Sequence, residues 1–209
     1  MKYLFVLILS VLLISCKKDT IQYTIKGTIY SNIDASELSD VNVKVFQKPF
    51  NNSVTSNSYE LVGSTTTDNS GTYSVTFDRE RATDFKITLE RDGFFDEEIL
   101  LTSEYINSGA DNILNWSLDG ESWIKMNIQN APPSNQSDVL TLTWYIYRTD
   151  CSECIENEFN SFNGIVDTSF VHANTAGQHL KFLYNDGNTS TIDSVLMPHH
   201  DTVNYSIIF

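Results

Sequence analysis

The sequence predicts an all-β protein made of two tandem β-sandwich domains, and three observations carry that prediction. Thr, Val, Ile and aromatic residues are abundant, whereas Ala- and Leu-rich helical stretches are missing beyond the first turns of the chain. Short apolar segments alternate with polar residues at a period of two, which buries one face of a strand and leaves the other in water. Clusters of Gly, Asn, Asp and Ser interrupt those segments at short intervals, as hairpin turns require.

The first segment stands apart from this pattern. Met1-Lys2 is followed by a nearly unbroken apolar run from Tyr3 to Ile14. A membrane-spanning helix needs about 20 apolar residues, so this run is too short to span and has the length of a secretion signal's core. The run closes on Leu13-Ile14-Ser15-Cys16, followed at once by Lys17-Lys18-Asp19. Leu-Ile-Ser-Cys resembles the bacterial lipobox, and the Ser-Cys-Lys-Lys-Asp start is similar to lipoproteins of the Bacteroidota. The resemblance implies cleavage after residue 15, lipid on Cys16, and a bacterial outer-membrane location facing periplasm or exterior. Each buried lipid methylene adds about 0.8 kcal/mol, so several chains on one cysteine hold a protein stably. Residues 16–20 then read as a short lipidated tether.

Beyond the tether, Tyr23, Ile25, Gly27 and Ile29 share one face of a strand, with Thr24, Lys26 and Thr28 on the other. Val41, Val43 and Val45 repeat the pattern, as do Tyr73, Val75 and Phe77, and then Phe85, Ile87 and Leu89. Turns are expected at 31–34, 68–71 and 91–93, and segments near 95–101 and 113–118 can close the sheets. The stretch 47–60 reads as a long Asn- and Ser-rich insertion.

Three pieces of this half occur in an order that resembles the carboxypeptidase regulatory-like family. They are Gly27-Thr28, then Leu38-Ser39-Asp40-Val41-Asn42-Val43-Lys44-Val45, then Thr65-Thr66-Thr67-Asp68-Asn69-Ser70-Gly71-Thr72-Tyr73. The resemblance covers residues 21–118. It implies a transthyretin-like, Ig-like sandwich that serves as a scaffold and carries no catalysis of its own.

Asp119-Gly120-Glu121 reads as the boundary to a second sandwich over 119–209. Strands are expected at 123–130, 139–148, 166–173, 178–184, 191–197 and 203–209, with a hairpin turn at Asn185-Asp186-Gly187-Asn188. Segment 139–148 has aromatic and β-branched residues on both faces, which marks a central strand. Residues 151–163 break the alternation and are expected to hold a helical turn.

Charge narrows the partners. The chain has 13 Lys and Arg against 27 Asp and Glu; loss of Lys2 with the leader takes the net charge from −14 to −15. Such a surface repels phosphate backbones, which excludes nucleic acid as a natural ligand. The membrane is met through the N-terminal lipid, and a glycan or a protein is the class of ligand left. Phe50, Tyr59, Phe94, Tyr105 and Trp116 fall near loops or strand ends, where exposed rings would stack on sugars or fill pockets.

With Cys16 given to lipid, Cys151 and Cys154 remain as an even pair in an oxidising compartment, either bonded or as two free thiols. Asp150, Glu153, Glu156 and Glu158 surround them, and their charge disfavours a reactive thiolate. The four histidines, His172, His179, His199 and His200, all lie in the second half. His199-His200-Asp201 after Pro198 would offer metal ligands if a loop turned both rings to one ion, with His172 or His179 completing the set, although the spacing matches no standard zinc pattern. Adjacent carboxylates such as Glu97-Glu98 are too common here to single out a glycosidase. No nucleophile elbow, zincin helix or phosphate loop is present, so no catalytic residue is assigned and no cofactor is implied. Asp19-Thr20-Ile21, Asp193-Ser194-Val195 and Asp201-Thr202-Val203 resemble short O-glycan acceptor motifs of the Bacteroidota.

The sequence therefore points to a cell-envelope lipoprotein, not an enzyme, acting as a binding or structural module. An envelope enzyme or metal protein with its site in the second half, and a spacer subunit of a larger assembly, are the alternatives.

Overall fold

A computed structural model describes residues 21–51, 54–55 and 57–209, and the chain is all-β. The leader, Cys16 and Thr20 lie outside the described residues.

The first half forms two facing sheets. In one, β1 (Gln22–Ser31) pairs antiparallel with β5 (Thr72–Asp78). On its other side β1 pairs in parallel with β8 (Asp111–Ile113) and then with β9 (Trp116–Leu118). The second sheet centres on β2 (Asn42–Asn51), flanked by β4 (Glu60–Thr66) and β6 (Ala82–Glu90). A short β3 (Val54–Thr55) caps its hairpin and β7 (Glu97–Thr102) extends its edge. The insertion expected at 47–60 is thus largely strand, because β2 continues through Pro49, where a register shift spares the missing N–H. Tyr23, Ile25, Ile29, Val75 and Phe77 from one sheet meet Val43, Val45, Phe85, Ile87 and Leu89 from the other in one buried core. Each such side chain contributes about 1.5–3 kcal/mol of apolar burial.

Local chemistry explains the ordered motifs. Gly27 sits where the parallel neighbour of β1 changes from β8 to β9, and a Cβ there would lie 1.9 Å from the Leu114 carbonyl oxygen. The hydroxyl of Tyr73, whose pKa burial pushes up to about 12, donates to that same carbonyl at 2.8 Å. Thr67 ties the second motif to the third: its hydroxyl donates to the Leu38 carbonyl at 2.6 Å and accepts from the Val41 amide at 2.9 Å. Asp68 accepts from the amides of Ser70 and Thr72, each at 2.9 Å, and Gly71 closes the turn at φ +65°.

The second half repeats the plan. One sheet runs β13 (Asp167–Thr175), β10 (Glu121–Gln129), β16 (Thr202–Ile208). The other runs β12 (Phe159–Asn163), β11 (Val139–Ile146), β14 (His179–Asn185), β15 (Ser190–Leu196). Ile124, Met126, Ile128, Leu140, Leu142, Trp144, Leu180 and Phe182 fill the space between them. β11 is central, as its two-sided pattern predicts. The helical turn expected within 151–163 is absent: the segment makes tight turns and then enters β12. Two anchors draw it down onto the sheets, since Cys154 and Ile155 are buried and the Trp144 amide donates to the Glu158 carbonyl at 2.8 Å. At the open edge of this sandwich the Tyr205 hydroxyl bonds the carboxylate of Asp193, which faces inward from the last strand of its sheet.

Candidate functional site

The two halves meet through a polar and aromatic junction centred on Arg148. This residue follows β11, and its side chain is only 10% exposed. Its guanidinium lies 3.9 Å over the ring of Phe95, which the first half sends across. It donates to Asp119 at 2.8 Å and to Asp150 at 2.9 Å, with Glu97 at 4.0 Å. Burial raises the Glu97 carboxyl above its ordinary pKa, and Arg148 partly offsets that rise. Phe95 also packs against Cys154 and Ala173, with Trp123 and Cys151 beside them. Cys151 and Cys154 are joined as a disulfide, with their Cα atoms 5.1 Å apart. The bond closes the 151–154 turn, whose two cysteines pack against Phe95.

Backbone bonds complete the junction. The Glu121 amide donates to the Gly93 carbonyl at 2.8 Å, and the Phe95 amide to Asp119 at 2.9 Å. Gly120 is the closest point of passage: a Cβ there would stand 2.3 Å from Ile33 of the first half and 3.4 Å from Ala176 of the second. Beside it opens an acidic cleft of about 780 Å³, lined by Asp40, Glu90, Arg91, Asp96 and Glu121. Burial raises the carboxyl pKa of Asp96, with nearby Glu90 adding to the effect. Burial does the same to Glu121, with Asp96 and Glu153 next in weight.

The four histidines do not converge. His172 packs on the core side of β13 between Trp144 and Phe170. His179 is exposed on the outer face of β14, opposite Leu196. His199 and His200 do lie in a loop, as expected, but the His200 ring packs tilted against Phe94 with centroids 5.0 Å apart, and its amide donates to the Glu121 carbonyl. The metal centre read from His172, His179, His199 and His200 is therefore not assembled. Among the described residues no group of three or more His, Cys, Asp or Glu is placed to hold an ion. Strand parity is the reason, because it sends His172 inward and His179 outward.

The aromatic candidates divide as well. Phe94 is buried beneath Arg91 and His200, and Trp116 packs against the first core. Tyr59 lies under the ammonium groups of Lys48 and Lys86, and Phe50 is half-buried at the end of β2. Tyr105, on a single 3-10 turn, is 71% exposed. The pair Glu97-Glu98 is split between faces of β7, Glu97 toward Arg148 and Glu98 toward Lys86. Of the three short acceptor motifs, Ser194 and Thr202 are exposed.

A second surface has no local signature in the sequence. The strand register sets Phe159, Thr143, Leu183 and Ile192 in one row across all four strands of the β12–β11–β14–β15 sheet, on its outer side. Ile146 and Leu196 extend this apolar ground.

No protein-family model matches this sequence, and no curated protein is similar to it. Among solved structures the chain is similar to the Bacillus anthracis TIE protein, at 9% identity over 90% of this chain and 34% of that one, with a TM-score of 0.39. It is similar to a Streptococcal ancillary pilin at 10% identity over 90% and 63% of the two chains, with a TM-score of 0.37. The minor pilin GBS52 of Streptococcus agalactiae aligns at 9% identity over 89% and 94%, with a TM-score of 0.37. The chain spans about a third of the length of the TIE protein. Fold and junction together define the class: an all-β protein of two sandwiches held together by a buried arginine.

Proposed function

We propose that this chain is a structural or adhesion-type module that carries its second sandwich at a fixed distance and orientation from a lipid anchor on Cys16. The first sandwich acts as a scaffold of the carboxypeptidase regulatory-like kind. One observation supports the reading above the others: Arg148 bridges the halves with Phe95, Asp119 and Glu97 on one side and its own loop on the other. Two sandwiches on a free linker would move independently, whereas a buried charge with partners on both sides resists separation. Only five residues lie between Cys16 and Gln22, where β1 begins, and the six steps from one to the other span about 20 Å at most when extended. In this reading the protein sits on the outer membrane and faces periplasm or exterior.

Two measurements test it. Intact mass of the native protein reads the anchor: diacyl or triacyl mass on a chain beginning at Cys16 is expected, and release of a Cys16→Ser variant from the membrane fraction accompanies it. A native chain that retains residues 1–15, or carries no lipid, overturns the anchor. Small-angle scattering of the secreted chain reads the rigidity. Extrapolated to infinite dilution, one particle dimension, unchanged by salt, is expected; a broad distribution of separations between the halves refutes a fixed spacer.

A further inference from the structure

We infer that the outer face of the β12–β11–β14–β15 sheet takes a second copy of this chain, sheet against sheet. The register lays out what this face presents. Its central row is Phe159, Thr143, Leu183 and Ile192. On one side lies the row Ser161, Thr141, Asn185 and Ser190; on the other lie Ile146, Lys181 and Ser194, then His179 and Leu196. Phe159, Ile192 and Leu196 are 56%, 62% and 57% exposed. These rows contain no carboxylate, on a chain with 27 Asp and Glu. The outer faces of the first sandwich differ. They carry ion pairs typical of wetted sheets, Lys26 with Asp111, Lys44 with Glu90 and Lys86 with Glu98.

Three arguments select a second copy as the occupant. Two chains of net charge −14 repel over most of their surfaces, and an acid-free face is where they can approach. A two-fold interface must complement itself, and Ser, Thr and Asn do so because each both donates and accepts hydrogen bonds. Lys181 is the single formal charge on these rows, and its long stem lets the ammonium reach the rim. The area also fits: four strands at about 4.8 Å spacing over about 25 Å give close to 500 Å² per copy, so about 1,000 Å² in all, the lower bound for a specific interface. A weak, concentration-dependent dimer follows. The inference stands apart from the lipid anchor, and the experiment is made without lipid.

Sedimentation velocity of the secreted chain with Cys16→Ser, which keeps every described residue, reads the association. A dimer with a Kd between about 10 µM and about 1 mM is expected, tightening with added salt as like charge is screened. Ile192→Glu and, independently, Phe159→Ser should each weaken it at least tenfold, while Leu61→Glu, equally exposed on the first sandwich, leaves it unchanged. Far-ultraviolet circular dichroism confirms that each variant is folded. A monomer throughout this range, or a dimer indifferent to both substitutions on the face, overturns the inference and leaves the row to a different protein.

Discussion

Replacing Arg148 by Met tests the junction most directly, because the aliphatic stem is kept and only the charge and its donors are lost. In the folded chain the guanidinium donates to Asp119 and Asp150 and stacks on Phe95 at 3.9 Å. Loss of the Asp119 bond costs about 1.5–3 kcal/mol, as for hydrogen bonds to charged groups. Asp150 is 67% exposed, so its share is no more than about 1 kcal/mol. The Met stem retains part of the contact with Phe95, which leaves about 2–4 kcal/mol in total, at or below the range for breaking a fully buried pair. For a protein of this size that lowers Tm by roughly 5–12 °C. The assay is differential scanning calorimetry of the secreted chain near neutral pH. Because Arg148 bonds across the halves, a single transition is expected of the parent and two of the variant. A double-mutant cycle with Asp119→Asn should give a coupling of about 1 kcal/mol or more. A Tm within about 1 °C of the parent, with a single transition retained, would refute the reasoning.

The remaining expectations concern the first sandwich and the response to acid. Thr67→Val strands the Leu38 carbonyl and the Val41 amide and should cost about 2–4 kcal/mol in urea unfolding, while Thr67→Ser should restore most of it. Gly27→Ala drives a methyl into the Leu114 carbonyl, so loss of at least about 3 kcal/mol, or failure to accumulate, is expected; parental stability would contradict the close passage at β1. The pKa values of Glu97, Glu121 and Asp96 are raised on folding, so the native state binds the extra protons and stability should rise as pH falls from about 7.5 towards their ordinary range. Asp34, Asp68 and Asp186 are held low by hydrogen bonds, chiefly from Ser36, Thr72 and Thr189, and their contribution is lost as pH falls below 3.8. Tm should therefore peak in mildly acidic buffer, with Glu121→Gln flattening the upper limb; a steady decline of Tm from pH 7.5 to 5 at constant ionic strength contradicts this.

Much of the strand pattern was legible because alternation is local. Tyr23-Ile25-Ile29 and Leu140-Leu142-Trp144 each declare a buried face within one segment. The ordered motifs were legible for a similar reason, since Gly27, Thr67 and Gly71 meet steric or bonding demands that few other residues satisfy. Non-local partnerships left no such trace. Arg148 reads as one more surface cation until Phe95 and Asp119 are brought to it from distant positions. The row Phe159–Thr143–Leu183–Ile192 draws on two separate hairpins, β11–β12 and β14–β15, and exists only once the register between them is set. Phe94 looked like a loop aromatic free to bind, but the junction covers it. β12 was masked by the Cys- and Glu-rich turns just before it, where alternation fails although the strand that follows is regular.

The parallel pairing of β1 with β8 and β9 has a mechanical consequence. A pull on the chain ahead of β1 enters the fold at the first residue of that strand, and the chain leaves the first sandwich towards the second at the end of β9. Because these strands run in the same direction, the two points of attack sit at opposite ends of the ladder. Tension applied between the start of β1 and the second sandwich then acts along the strands as shear. The inter-strand bonds share that force and resist it together, where an antiparallel exit would have peeled them apart singly.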